Sequence, residues 1–163
     1  MTDEWATRVE AVWADAALSD LERIAAIDAL AAQRDADDPR ALYERAGARD
    51  SAGLEEDAEP LYRAALRGPL APDVRTQAVI QLASTLRNLG RVDEALGLLE
   101  AEYAHTEGTP LQDAVAAFLA LALVSAGESE RAAAVALQAL APHLPRYTRS
   151  VTGYAREIAD RRA

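Results

Sequence analysis

The feature that most constrains this chain is a spacing. Gly53, Gly90 and Gly127 stand 37 residues apart, twice over, in a sequence with only 8 glycines. The same lag lines up Ala46, Ala83 and Ala120 in one column and Ala58, Ala95 and Ala132 in another. A fixed period of this size marks a repeat architecture, in which one supersecondary unit stacks on copies of itself. Each column has a physical task. A glycine takes the left-handed backbone conformation that ends one helix and turns the chain sharply into the next. An alanine on either side of that turn lets the two helices approach closely where they cross. The expected unit is a helix–turn–helix hairpin, stacked about three times.

The rest of the chain reads as helix as well. No segment alternates apolar and polar residues for long enough to make a strand. Breakers divide the sequence at Asp38-Pro39, Gly53, Gly68-Pro69 with Pro72, Gly90, Gly108-Thr109-Pro110, Gly127, and Pro142 with Pro145. Nine helices are expected between them, near 3–17, 19–34, 39–52, 54–67, 73–89, 91–105, 110–126, 128–141 and 146–161. Asp38 before Pro39, and Thr109 before Pro110, each offer a capping oxygen followed by a proline at the first helical position. Pro60 falls inside an expected helix, where it removes one backbone hydrogen bond and is expected to kink the helix. The first hairpin, residues 3–34, lacks the glycine and alanine columns. It carries apolar stripes instead: Trp5, Val9, Val12 and Trp13, then Leu21, Ile24, Ile27 and Leu30.

Composition narrows the function. The chain has 163 residues, no cysteine and a net charge of −10, and all 17 of its cations are arginine. Thiolate zinc sites, disulfides and cysteine nucleophiles are excluded. A nucleic-acid binder working through a basic surface is disfavoured, because phosphates would repel an acidic molecule. The longest apolar run, Ala114 to Val124, is 11 residues, short of the roughly 20 a membrane span needs. The start, Met-Thr-Asp-Glu-Trp, is acidic where a secretory signal is basic. No membrane association and a cytoplasmic location are therefore expected, with one domain over 1–163.

The repeating residues resemble the tetratricopeptide repeat, a helical hairpin of 34 residues. The clearest copy lies within 76–112, with Ala83, Leu89-Gly90 and then Asp93-Glu94-Ala95-Leu96. The copy within 39–75 supplies Leu42, Ala46, Gly53, Ala58, Tyr62 and Ala65-Leu66. The one within 113–144 supplies Ala120, Gly127, Ala132, Ala136 and Ala139-Leu140. The stretch Leu82 to Gly90 is similar to small stand-alone bacterial tetratricopeptide proteins, a group that implies no single activity. The resemblance implies an all-α, right-handed superhelix (an α-solenoid) of stacked antiparallel helix pairs. Residues 1–38 would be a divergent hairpin or cap, and 145–163 a C-terminal capping helix. The departure is the period of 37, which lengthens the connectors Gly68 to Asp73 and Thr106 to Pro110.

Such superhelices bind along the face lined by the first helix of each pair. The resemblance places Tyr43, Glu44, Gly47 and Asp50 there from the first copy. From the second come Gln77, Ile80, Gln81, Ser84, Arg87 and Asn88, and from the third Ala117, Phe118, Leu121, Val124 and Ser125. The family members that grip a peptide's terminal carboxylate use lysine, arginine and asparagine at such positions. Here only Arg87 and Asn88 match, while Glu44 and Asp50 carry the opposite charge. The implied ligand is an unidentified protein or peptide with a basic end and an apolar end. Individual residues also have plain structural readings. Asn88 can satisfy carbonyls at a helix end, Arg87 can pair on the surface, and Phe118 lies in a helix apolar on every side, as core helices are.

No catalytic residue, metal ligand or cofactor is identified. His105 and His143 lie near the ends of second helices, where a cation complements the helix dipole, and no His-Glu-x-x-His pattern exists. The pairs Asp37-Asp38, Glu55-Glu56 and Asp93-Glu94 fall in connectors and first turns, where acids stabilise helix starts. The charge is uneven. Residues 1–81 hold 17 acids against 9 arginines, and residues 82–163 hold 10 against 8. Within the second half, Arg146, Arg149, Arg156, Arg161 and Arg162 face only Glu157 and Asp160. The expected function is a non-catalytic binding scaffold. The alternative is a structural homo-oligomer joined through helix 110–126 or through the last helix, whose basic end would meet the acidic start of another chain. An enzyme or small-molecule binder using the groove is a third.

Overall fold

The computed structural model describes residues 4–161. The helices are α1 (Glu4–Ala14), α2 (Asp20–Ala31), α3 (Pro39–Asp50), α4 (Glu55–Leu66), α5 (Pro72–Asn88), α6 (Val92–His105), α7 (Gln112–Ser125), α8 (Ser129–Leu140) and α9 (Thr148–Asp160). A short 3-10 turn, Ala141–His143, follows α8. No strand occurs among the described residues. The chain divides into two compact units between Thr85 and Leu86, inside α5.

The three glycines behave alike. Gly53, Gly90 and Gly127 have φ of +72°, +77° and +81°. Each closes its helix with the same two bonds. The glycine N–H donates three residues back, to Asp50, Arg87 and Val124, at 3.0 Å in every case. The next N–H donates five residues back, to Arg49, Leu86 and Leu123, at 2.9 Å. This is the Schellman closure, and it satisfies carbonyls that a helix end leaves orphaned. Both alanine columns are buried, none of the six more than 9% exposed. With no side chain beyond Cβ, these positions keep paired backbones close.

In the first unit, α1 and α2 form the hairpin that lacks the repeat columns. Trp5, Val9, Ile27, Leu30 and Ala31 pack with Ala41 and Ala48 of α3, flanked by Val12, Trp13 and Ile24. The Trp5 indole donates to the Leu30 carbonyl at 2.9 Å. Leu21 departs from the expected stripe and is 75% exposed. Helix α1 stops at Ala14, short of the expected 17. With one apolar residue every three positions, the α2 stripe rotates by about 60° per step on a 3.6-residue helix, which carries Leu21 round to the side opposite Leu30. At α3 the Asp38 carboxylate accepts from the Ala41 N–H at 2.8 Å, with Pro39 in the first turn. Arg45 and Arg49 of α3 reach Asp28 of α2 at 2.9 and 2.8 Å. Helix α4 runs unbroken through Pro60.

In the second unit, α6, α7, α8 and α9 pack each on the next. Leu86, Leu99, Val115, Leu119 and Leu123 are buried among them. The start of α7 differs from expectation. It begins at Gln112 rather than Pro110, with no side-chain cap. The Thr109 hydroxyl donates back to the Thr106 carbonyl at 2.8 Å instead of capping α7. Gly108, at φ +75°, turns the chain there, and its N–H donates to Gln112 Oε1 at 3.0 Å. The loop thus completes the end of α6 before α7 starts. Helix α9 starts at Thr148, after Tyr147, the one non-glycine with positive φ (71°) among the described residues. Arg162, counted with the basic end of the sequence, lies outside the described residues.

Candidate functional site

Eight of the expected groove positions fall in the first unit. Tyr43 on α3 donates its hydroxyl to Gln77 Oε1 on α5 at 3.2 Å. Its ring lies 6.2 Å from that of Tyr62 on α4, tilted by 52°, and the Arg40 guanidinium sits 5.6 Å from its centre. Burial, then the neighbouring Glu44 carboxylate, pushes the Tyr43 phenol up to about 12. It is therefore a neutral hydrogen-bonding group at any working pH.

Glu44 is inside the unit, 4% exposed. Its Oε2 accepts from the Trp13 indole at 2.7 Å and its Oε1 pairs with Arg40 at 2.7 Å. A ligand cation could reach it only by displacing one of those partners. Gly47 lies beside the same indole. A Cβ added there would stand 3.4 Å from the Trp13 ring and 3.8 Å from the Tyr62 hydroxyl. The first hairpin thus occupies the two positions, 44 and 47, that the resemblance assigns to a ligand.

Asp50 is half-buried. Tyr62 donates to its Oδ2 at 3.3 Å, and the Thr85 hydroxyl stands 3.0 Å from its Oδ1 and 2.9 Å from the Gln81 carbonyl. Thr85 has one proton to share between those two acceptors. Burial raises the Asp50 carboxyl above the usual range, although both hydroxyls work to lower it. The fully buried Tyr62 phenol is likewise pushed up, by burial first and then by the Asp50 charge. Of the remaining positions on α5, Gln77 is exposed, Gln81 and Ser84 are half-buried, and Ile80 is buried.

Seven of the expected positions fall in the second unit. Arg87 and Asn88 bond each other, Nη2 to Oδ1 at 3.3 Å. On α7, Phe118 is half-buried, while Leu121 and Val124 are 47% and 56% exposed. Ala117 and Ser125 are exposed beside them. The opposite side of α7 holds Val115, Ala116, Leu119, Ala122 and Leu123, all buried. A helix apolar on every side is expected to be interior. This one is interior on one side and leaves an apolar face in solvent, since nothing in its unit packs against residues 117, 121 and 124.

Trp13, Arg40, Tyr62 and Thr85 complete the polar network of the first unit and were not among the expected site residues. Arg40 and Glu44 carry a local signal, opposite charges four apart on a helix. Asp50 and Thr85 are 35 residues apart, and no local pattern links them. Depressions also open elsewhere, one of about 550 Å³ between residues 90–94 and the end of α7 at Ser125. Another of about 350 Å³ opens on the α2–α3 seam beside Asp28 and Arg45, and one of about 470 Å³ on the α8–α9 seam beside Arg131 and Ile158. No group of three or more acids, histidines or cysteines able to hold a metal occurs among the described residues. No helix there is long and apolar enough to cross a membrane.

The fold defines a class: repeated helical hairpins, each turned by a left-handed glycine and closed on buried alanines. The model of the tetratrico peptide repeat family matches residues 39–158, most of the chain, and the protein belongs to that family. Searches of curated proteins and of solved structures find no match.

Proposed function

We propose that this protein is a non-catalytic scaffold that binds a protein or peptide through the faces presented by the first helices of its repeats. Membership of a family built for protein–protein interaction supports the general reading. The observation that carries the particular one is the face of α7. Leu121 and Val124 stand in solvent beside half-buried Phe118 and exposed Ala117. Exposed contiguous apolar side chains on an otherwise well-packed helix mark an interaction surface more often than an accident of folding.

The first unit offers a different chemistry. Asp50 is a half-buried carboxylate satisfied by hydroxyls rather than by an arginine, and α5 of the same unit also carries Gln77, Gln81 and Ser84. Such a face suits a basic or hydrogen-bonding side chain, while α7 suits an apolar one. Glu44 supports the fold of this face rather than contacting ligand.

Affinity capture with the whole chain tests this reading, with a variant carrying Tyr43→Ala, Arg87→Ala and Phe118→Ala as the comparison. The variant is expected to lose the partners captured by the wild-type chain while keeping its helical circular dichroism. A folded variant that retains every partner defeats the reading.

A further inference from the structure

Four acids of the first unit that are buried or half-buried, Asp28, Asp38, Glu44 and Glu59, each meet an arginine at 3.1 Å or less. Asp50 is half-buried too, yet it meets no arginine among the described residues. Its partners are neutral, the Tyr62 hydroxyl on Oδ2 and the Thr85 hydroxyl on Oδ1. Arg49, its neighbour in sequence, is turned to Asp28 at 2.8 Å. The charge that does act on Asp50 is the Glu55 carboxylate, which has the same sign. The fold does not require a charge at this position. Two hydroxyls need an acceptor, and a neutral amide oxygen would serve them. Burial without a cation holds the Asp50 carboxyl above the usual range, so its ionised form costs stability at neutral pH that an amide would not.

The acceptor sites left over define the ligand. A carboxylate offers about four, two on each oxygen. Tyr62 and Thr85 are fully buried, so they hold Asp50 from the interior, one bond to each oxygen, and one acceptor site on each oxygen remains. Two acceptors on one carboxylate match the fork of a guanidinium, which donates two N–H bonds side by side, whereas an ammonium is a point charge without that geometry. Gln81 lies one turn before Thr85 and so on the same side of α5. It is half-buried and brings an amide oxygen, a further acceptor. Over residues 1–81 acids outnumber arginines by 17 to 9, and a field of that sign draws a cationic group toward the unit.

We propose that Asp50 is the subsite for an arginine side chain of the bound protein or peptide, its guanidinium forked onto Oδ1 and Oδ2 while Tyr62 and Thr85 hold the carboxylate from behind. The ligand supplies the cation that Asp28, Asp38, Glu44 and Glu59 find within the chain. Tyr62 and Thr85 are positioning residues here, because they fix the carboxylate and do not touch the ligand. This rests on the scaffold reading for one premise, that α3 faces a ligand.

Chemical-shift mapping on the whole protein tests this with Nα-acetyl-L-arginine amide and its uncharged isostere Nα-acetyl-L-citrulline amide, each at roughly millimolar concentration, the range that a single charged contact supports. The arginine probe is expected to shift the Asp50 carboxyl carbon and the backbone amides of Tyr62, Gln81 and Thr85 saturably. The citrulline probe is expected to leave them in place, and the corresponding lysine amide to bind several-fold more weakly than arginine. Asp50→Asn is expected to weaken the arginine probe about tenfold or more, the worth of a hydrogen bond to a charged group, with helical circular dichroism unchanged. Glu56→Gln removes one charge from an exposed position of the same unit and is expected to leave binding as it is. An arginine probe that does not shift Asp50 overturns the proposal, and this wild-type measurement decides it even where Asp50→Asn does not fold. So does citrulline or lysine binding as tightly as arginine, or equal weakening by the Asp50 and Glu56 variants. A failed probe, with the Tyr43, Arg87 and Phe118 variant still losing its partners, removes the Asp50 subsite and leaves the scaffold reading standing.

Discussion

The Trp13 indole donates to Glu44 Oε2 at 2.7 Å, across 31 residues of sequence. The other carboxylate oxygen is taken by Arg40 at 2.7 Å, so a buried charge has both a cation and a neutral donor. A buried carboxylate is tolerated only when paired and hydrogen-bonded in this way. The bond also ties the divergent first hairpin to the first recognisable repeat, because Trp13 lies on α1 and Glu44 on α3. Its ring fills the space that Gly47 leaves open.

Removing that donor is expected to destabilise the protein. Trp13→Phe keeps most of the ring and deletes the N–H, leaving Glu44 Oε2 unsatisfied, at a cost of about 1–3 kcal/mol. Glu44→Gln on the Trp13→Phe background is expected to cost less than it does alone, because the two residues share one bond. Urea unfolding of the four proteins measures the coupling. Additive losses would mean that the bond contributes nothing.

The glycines divide into two kinds by their backbone. Alanine at Gly53, Gly90 or Gly127 is forced into positive φ and is expected to lower stability by about 1–2 kcal/mol each. Gly97 lies inside α6 with no atom within 4 Å of an added Cβ, so Gly97→Ala is expected to raise stability by about 0.5–1 kcal/mol. Gly68→Ala fails for another reason, since its Cβ would fall 2.7 Å from Pro39 Cβ. Thermal melts of this set check the signs, and a neutral Gly90→Ala would count against the turn geometry.

Two aspartates give opposite pH dependences. Burial raises Asp50 despite its hydroxyl partners. The folded state therefore holds its proton more tightly than the unfolded state, whose aspartates titrate near about 3.9. The stability Asp50 contributes is present below that pH and is lost as pH rises through the higher folded value. Burial also opposes the charge of Asp28, but hydrogen bonds from Arg49 and Arg45 outweigh it and hold the group low. Its contribution is present above about 3.9 and disappears as pH falls through the lower folded value. Against wild type, Asp50→Asn is expected to look better at pH 7 than at pH 4. Asp28→Asn is expected to look worse at pH 7 than in strong acid. Denaturant midpoints across pH 2–7 read both differences.

The two sides of α7 are expected to respond differently to substitution. Leu123→Ala, at a fully buried position, costs about 2–5 kcal/mol. Leu121→Ser and Val124→Ser, on the open face, change stability by about 0.5 kcal/mol or less, yet abolish partner capture if that face binds. A large loss of stability from the serine pair would show that the face is packed rather than free.

Much of the architecture is legible in the sequence. The period of 37 located all three turns, and the Asp38-Pro39 signal found a real cap. These features depend on a few consecutive residues, whose backbone preferences act locally. Thr109-Pro110 misled for a related reason. The same residues that make a capping signal also make the turn that Gly108 closes, and the choice between them depends on how α6 ends. The candidate site was less legible. Tyr43 and Gln77 do meet through a hydrogen bond, but Glu44 proved to be a buried strut of the fold.

What the sequence determined by itself is the unit of construction: a helical hairpin, its length, its left-handed glycine and its small crossing residues. Those follow from steric limits on φ and from the 3.6-residue period, both properties of the chain within a few residues. Only the tertiary structure decided which side of each helix is covered. It turned Glu44 inward onto Trp13, joined Asp50 to Thr85, and left Leu121 and Val124 of an all-apolar helix in water. Burial depends on what lies opposite, and what lies opposite comes from residues tens of positions away.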